Sequence, residues 1–330
     1  MNKKRWIALV IAAGLLLFSV IWQAATSFMT ADFEELFNAN DTPFEEKVIE
    51  EGSGAGKIAV INLNGVIQDT TGNSFTASGY DHAKFLEMIE AAGEDTMVDG
   101  IILRVNTPGG GVVESAEIHD KIIEVQEETG KPVYISMGNT AASGGYYISA
   151  PADKIVAHPA TLTGSIGVIM QSINFSDLAD DLGVDFNTIK SGEYKDIMSA
   201  SRDMTEEERE ILQTMIDDMY GDFVQVIVDG RDMSEERVME LADGRVYTGS
   251  QAQELGLVDD LGTLTDTIAM MEEENELQNP QVVEYQPGFG FNQFLGGAVK
   301  SMFGNEEELH GMVELLRQTN APRAMYLYSE

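Results

Sequence analysis

Short runs of branched and aliphatic residues recur along this chain between turns rich in glycine, proline and asparagine, with helical patterns interspersed. That alternation limits the fold more than any other feature. Ile58 to Ile67 reads as a buried strand, and Val98 to Val105 as a second that ends on Asn106-Thr107-Pro108-Gly109-Gly110-Gly111. A helix follows to about Glu128, with Ile118, Ile122 and Val125 on one face and Gly130 past its end. Pro132 to Met137 and Lys154 to Ala157 read as a third and a fourth strand, and Leu162 to Met170 and Val184 to Ile189 as shorter ones. Thr205 opens a long helix with Glu208 in capping-box position. Leu212, Ile216, Met219, Phe223 and Val226 form its apolar stripe. Alternating strands and helices with short loops predict an α/β domain with largely parallel strands.

The flanks read differently. Lys3, Lys4 and Arg5 precede an apolar run of 17 residues, Trp6 to Trp22, which as a helix spans about 25 Å against a hydrocarbon core of about 30 Å. Cleavage after Ala24 or Ala25 would put Trp22 or Gln23 where a signal peptidase needs a small residue. A retained anchor over residues 1–25 is therefore expected, single-pass in the cell membrane, with the bulk of the chain on the extracytoplasmic side. Residues 26–56 read as an acidic stalk closing on Gly52-Ser53-Gly54-Ala55-Gly56. Residues 57–265 form the expected folded domain. Residues 266–330 read as a C-terminal extension with a helix, a strand-like Gln281 to Gln286, and a tail. The tail's Met325-Tyr326-Leu327-Tyr328 can pair with a neighbouring strand or occupy a site as a pseudo-substrate.

Composition removes several chemistries. Cysteine is absent, and with it thiol nucleophiles, disulfides and thiolate metal sites. The four histidines (His82, His119, His158, His310) are far apart, so no HExxH-type zinc motif exists. The formal charge is −36, from 56 acidic and 20 basic residues; such a surface repels phosphate backbones, and a nucleic-acid partner is not expected. The acids are spread along the chain, as on a solvated surface suited to high salt, where screening cuts self-repulsion to about 3 Å range at 1 M.

Three segments can carry chemistry. Pro108-Gly109-Gly110-Gly111 lies between a strand and a helix, where glycine N–H groups and the helix dipole suit an oxyanion; a tight turn without a ligand explains the same pattern. Ala141-Ala142-Ser143-Gly144-Gly145-Tyr146-Tyr147 sets a serine between small residues ahead of a helix, as a nucleophile or as an N-cap. It is not the GxSxG elbow. Ser191-Gly192-Glu193-Tyr194-Lys195-Asp196 offers a lysine, which acts as a base only if shielding from water lowers its pKa from about 10.4 towards 7 to 8.

Together the stretches VDGIILRVNTPGGGVVES, ASGGYYISAPADKIVAHPATLTGSIGV, IKSGEYKD with the following TEEER, and GRVYTGSQAQELGLVDDLG resemble the signal peptide peptidase A family. These are Ser/Lys-dyad peptidases with a crotonase-like fold distantly similar to the Clp protease. The resemblance covers about residues 57 to 265. It departs at Met198-Ser199-Ala200-Ser201, where the family carries a Ser-Pro pair, which bears on the local loop shape. It implies Ser143 as nucleophile, Lys195 as general base and Ser165 as the hydroxyl that orients the amine. It implies Gly110 and Gly144 as oxyanion-hole donors, with Gly109 and Gly111 as alternatives to Gly110. No metal or cofactor is implied. The implied substrates are hydrophobic peptides, the remnants of signal peptides at the membrane. The implied assembly is a dome-like homo-oligomeric ring, an octamer being one form, in which serine and lysine can come from neighbouring chains. An acyl-CoA enzyme and a non-catalytic membrane scaffold are the alternatives on the same fold.

Overall fold

Consecutive buried positions on the central strands explain why the sheet is covered on both faces. The structure, a computed structural model, describes residues 44–52, 56–69, 80–287 and 324–328, with Arg5 and Ser19 as isolated positions. In β2 (Lys57–Asn64) the side chains of Ala59, Ile61 and Leu63 enter one core cluster, while Ile58 and Val60 enter another. β3 (Val98–Thr107) divides in the same way, with Ile101 and Leu103 on one side and Ile102 on the other. This two-residue period, apolar on both faces, is the mark of an interior parallel strand.

The main sheet runs β1-β10-β2-β3-β5-β6-β9. Here β1 is Phe44–Glu50, β5 Val133–Ala142, β6 Lys154–Ala157, β9 Asp260–Leu261 and β10 Gln281–Pro287. All neighbours from β10 to β9 are parallel, and β1 alone is antiparallel at its edge. The larger cluster takes in α1 (His82–Glu94) and α2 (Val112–Thr129) through Phe85, Ile89, Ile118 and Ile122; the smaller one takes in α8 (Leu264–Glu274) through Ile268 and Met271. Gly130 ends α2 in the left-handed conformation, at φ 68°.

Beyond β5 come α3 (Gly144–Tyr147), β7 (Leu162–Gly164) and α4 (Ser176–Asp181). α5 (Glu206–Arg231), α6 (Glu235–Leu241), β8 (Val246–Thr248) and α7 (Gly249–Glu254) follow. The Thr205 and Glu208 capping box at the start of α5 is formed. Of its expected stripe only Phe223 is buried, while Val224 and Ile227, outside that stripe, meet the core beside it.

Four features differ from the sequence-based expectation. The acidic stretch assigned to the stalk contributes β1, with Phe44 stacked on Tyr285 at 4.4 Å between ring centres. Only Phe44 is buried in that strand, and its charged neighbours hid the pattern while suiting an exposed edge. The presumed C-terminal extension supplies an interior strand, because β10 lies between β1 and β2 with Val282, Val283 and Tyr285 buried. Val184 to Ile189 forms no strand; Val184, Phe186 and Ile189 face outward with no sheet neighbour. Leu162 to Met170 likewise shortens to β7. The result is a mixed α/β fold with a mostly parallel sheet. The expected anchor, residues 1–25, lies outside the described residues apart from Arg5 and Ser19, and no helix among the described residues is long and apolar enough to cross a membrane.

Phe44→Ala is expected to destabilise the domain by about 2 to 3 kcal/mol, below the cost of a fully central phenylalanine because β1 is an edge. Urea unfolding measures it; an unchanged midpoint would show that β1 does not contribute to the stability of the sheet.

Candidate active site

β5 delivers Ser143 to the end of the sheet in an unusual backbone state. Ala141 and Ala142 are fully buried, and Ser143 then turns to φ 55°, ψ −115° before α3 begins. Its N–H donates to the Gly164 carbonyl at 2.7 Å, and its carbonyl accepts from Tyr146 and Tyr147, both at 2.9 Å. A positive φ on a residue with a β-carbon costs on the order of 1–3 kcal/mol and persists only where its surroundings enforce it. Ser143 precedes a helix, yet its side chain makes no capping bond. Its Oγ is buried and has no hydrogen-bond partner among the described residues. The hydroxyl is held in place without being used by the fold.

The glycine segment lies against it. β4 (Gly109–Gly111) follows Pro108, with Gly109 at φ 104°. The N–H of Gly109 donates to Thr107 Oγ1 (3.0 Å) and that of Gly111 to the Ile67 carbonyl (2.8 Å), while the Gly109 carbonyl accepts from Ile67 N–H (2.9 Å). Of the three glycine amides, that of Gly110 is left to face the other side, where β11 (Met325–Leu327) pairs antiparallel with Tyr326 opposite Gly110. A β-carbon on Gly109 would fall 2.0 Å from the Tyr326 carbonyl oxygen and 2.7 Å from the Gly144 nitrogen. The backbone carbonyl of a bound segment therefore lies beside Gly109, close to the amide that follows Ser143, and only glycine permits the approach.

The segment is gripped along its length. Met325 exchanges two hydrogen bonds with Ile169, each 3.0 Å, and Tyr328 N–H donates to the Pro108 carbonyl at 2.8 Å. The Tyr326 ring is buried between Tyr147 (4.9 Å, stacked) and Phe223 (4.7 Å), and its hydroxyl donates to the Met219 carbonyl at 3.2 Å. Burial raises the pKa of that hydroxyl above the usual tyrosine value. The sequence analysis did not identify this aromatic slot or the Thr107 and Ile67 bonds; the doubled tyrosine after Gly145 was the available signal for the slot.

Ser165 is brought to the same place. It is buried, follows Gly164 directly, and holds φ 49° with its N–H on the Arg245 carbonyl (2.8 Å). β7 pairs with the end of β5 and with β8, which fixes this corner. Lys195 is not brought in. It sits in a 3-10 turn, Glu193–Asp196, and is exposed in the single chain. The shielding expected for this amine is therefore absent within one chain. Neighbouring Asp196 does not bind Lys195; its carboxylate accepts from Lys190 (2.7 Å) and Arg202 (2.6 Å). Arg202 also grips Glu208, the capping residue of α5. These bonds hold Asp196 below the usual carboxylate range and lower Glu208 to about 2. Met198, where the family pattern is broken, stands at φ 62°. The described histidines serve elsewhere: His82 between Tyr80 and Glu117, His119 beside Asp120, and His158 accepting from Ala160 N–H.

Comparison with known proteins bears on the family. The profile of peptidase family S49 matches residues 125–278. A protein named as a candidate signal peptide peptidase SppA from Enterococcus faecium is 39% identical over 345 residues, covering 99% of each chain. The chain belongs to peptidase family S49. Within that family, Protease 4 of Haemophilus influenzae is 35% identical across 72% of this chain and 38% of its own length. The chloroplastic serine protease SPPA of Arabidopsis thaliana is 31% identical across 82% and 41%. This member of the signal peptide peptidase A family is a serine peptidase, and its parallel-rich sheet fits a Clp-protease-like domain.

Two outcomes are expected of the family S49 chain's site geometry. Ser143→Gly should raise stability by about 1 kcal/mol, since the relieved strain exceeds the entropy glycine loses on folding, and Ser143→Ala should gain less because it keeps the strain. Urea titration of both variants tests this, and a destabilised Ser143→Gly would contradict it. The second concerns pH. Both Asp196 and Glu208 have lowered folded-state pKa values, so their contribution is complete above about pH 4.5 and fades as pH falls towards about 2. Arg202→Gln returns both carboxylates towards their ordinary range and should remove most of that contribution, so the variant's pH profile flattens. Amide exchange across residues 193–199 would show it, and identical pH profiles for the two proteins would disprove it.

Proposed function

We propose that the chain is a Ser/Lys-dyad endopeptidase that cleaves signal-peptide remnants and similar hydrophobic peptides. Ser143 is the nucleophile, Lys195 its general base, Ser165 the hydroxyl that orients the amine, and Gly110 and Gly144 the donors to the oxyanion. The observation that carries this reading is β11, an extended segment seated on the glycine strand with the Tyr326 carbonyl close to the Gly144 amide. A peptide substrate laid in the same way would present its scissile carbonyl there. Main-chain pairing supplies the affinity and the aromatic slot the side-chain preference. An apolar or aromatic residue fits that slot; a charged one would be stranded beside Tyr147 and Phe223.

In the reaction neutral Lys195 takes the Ser143 proton as Oγ attacks the carbonyl carbon. The C=O bond opens to an oxyanion facing the Gly110 and Gly144 N–H groups. Each such donor is worth about 3 to 4 kcal/mol in comparable sites. The lysine then passes the proton to the leaving amine, and the peptide C–N bond breaks to leave an ester on Ser143. Water, deprotonated by the same amine, releases the acid and restores the serine.

The mechanism needs an amine shielded from water, and Lys195 is exposed in the single chain, so the reading requires a second copy to cover it. The chain offers a surface for that purpose. Ile173, Phe175, Leu178, Leu182, Val184, Phe186 and Ile189 are all exposed on the segment that leads to Lys195. An apolar run of this kind is what a subunit contact would cover. We therefore place the assembled form as a homo-oligomeric ring with a dyad completed between neighbours, held to the membrane by residues 1–25 on the extracytoplasmic side.

Hydrolysis of a hydrophobic peptide by the full chain tests the reading. Ser143→Ala and Lys195→Ala should each lower kcat by at least about a thousandfold with folding preserved. Co-assembly of the two inactive variants should restore part of the activity, because some junctions then pair an intact serine with an intact lysine. Wild-type rates in either single variant would end the dyad proposal. A co-assembly that exchanges subunits and stays inert would place both groups in one chain.

A further inference from the structure

Among the buried hydroxyls that the proposed mechanism leaves unused, that of Thr107 is bonded to the peptide whose orientation decides the oxyanion site. Thr107 is buried at the end of β3, opposite Ala141 on β5. Its Oγ1 accepts from the Gly109 N–H (3.0 Å) and donates to the Gly109 carbonyl (3.2 Å). The same carbonyl accepts from Ile67 N–H at 2.9 Å. A trans peptide sends its C=O and its N–H to opposite sides. With the oxygen held by Ile67 and Thr107, the Gly110 N–H is turned to the side where Tyr326 lies.

Covalent geometry does not enforce that choice. The peptide joins two glycines, the first at φ 104°, and no β-carbon on either side resists a half-turn. After such a turn a carbonyl oxygen would face the bound peptide, and the site would repel the charge it has to stabilise. Two donors oppose the turn. Ile67 approaches through one isolated bridge to Gly110, at the end of a segment that has already left the sheet. Thr107 belongs to a ten-residue strand in the middle of the sheet, and its methyl group lies against Gly145, where an added β-carbon would come within 2.7 Å.

We propose that Thr107 is a positioning residue whose hydroxyl latches the Gly109–Gly110 peptide so that the Gly110 N–H faces the reacting carbonyl. The inference rests on Gly110 being an oxyanion donor, as set out above. It connects the β3–β5 register to the chemistry, because Ala141 opposite Thr107 stands two residues before Ser143.

Thr107→Val keeps the shape and the methyl group and removes only the hydroxyl. In the full chain it should lower kcat about ten- to a hundredfold with KM within about twofold. Inhibition by a peptide aldehyde, which forms an oxyanion on the serine, should weaken by a similar factor, while binding of the unreactive parent peptide holds. Thr107→Ser should recover most of kcat. Should Thr107→Val fail to fold, the contrast between Thr107→Ser, active, and Thr107→Ala, impaired, carries the same test. An unchanged kcat per titrated site, even with a lowered Tm, overturns the latch. Hydrolysis that survives Ser143→Ala overturns the site reading itself, and the latch with it.

Discussion

The hydrogen bond from Ser143 N–H to the Gly164 carbonyl joins the end of β5 to β7, and the geometry of the corner depends on it. It holds Ser143 at a positive φ, with Oγ lacking a partner among the described residues. It also carries Ser165 to the same point, because the accepting carbonyl belongs to the residue before it. Parallel pairing of β5 with β7 makes this possible, since two parallel strands end on the same side of a sheet. The glycine strand is delivered by the neighbouring strand, β3, at the same edge. Ligand sites outside the C-terminal ends of parallel strands follow from this arrangement.

The other half of the proposed dyad obeys a different constraint. Ser143, Ser165 and the glycines are buried by the sheet, whereas Lys195 is held at a distance from the core by polar bonds alone. Arg202 joins Asp196 to the cap of α5, and that network fixes the turn without covering the amine. It also engages Asp196, the carboxylate next to the lysine in sequence. An amine without an ion-pair partner among the described residues and flanked by exposed apolar side chains is suited to be completed by another surface.

Much of the arrangement was readable in the residues. The interior strands were visible because branched residues filled consecutive positions, and the start of α5 because Thr205 and Glu208 stand at capping-box spacing. β1 was hidden by its own surface: one buried phenylalanine among glutamates carries no period. β10 read as strand-like, but its place in the interior depends on partners far away in sequence, which no local pattern encodes. The reverse error occurred at Val184 to Ile189, where an apolar run suggested a strand although its side chains face outward. At the proposed site, small-residue spacing marked Ser143 and the glycines as candidates, and their proposed roles came from the family resemblance. Which glycine amide faces the bound segment depended on what Thr107 and Ile67 hold, and that is set by three-dimensional contact.

The insertion of β10 has a consequence for how the chain matures. Asn62 on β2 bonds Glu284 on β10 across 222 residues of sequence, and among the described residues β10 is the strand with which β1 pairs. A nascent polypeptide can assemble β2, β3 and β5 early, but their outer flank stays open, with unsatisfied main-chain groups, until residues 281–287 have been made. Loop closure over such a span is slow. During that interval the incomplete edge is a template for wrong pairing, so this domain depends on late-synthesised residues to seal what its earliest residues begin.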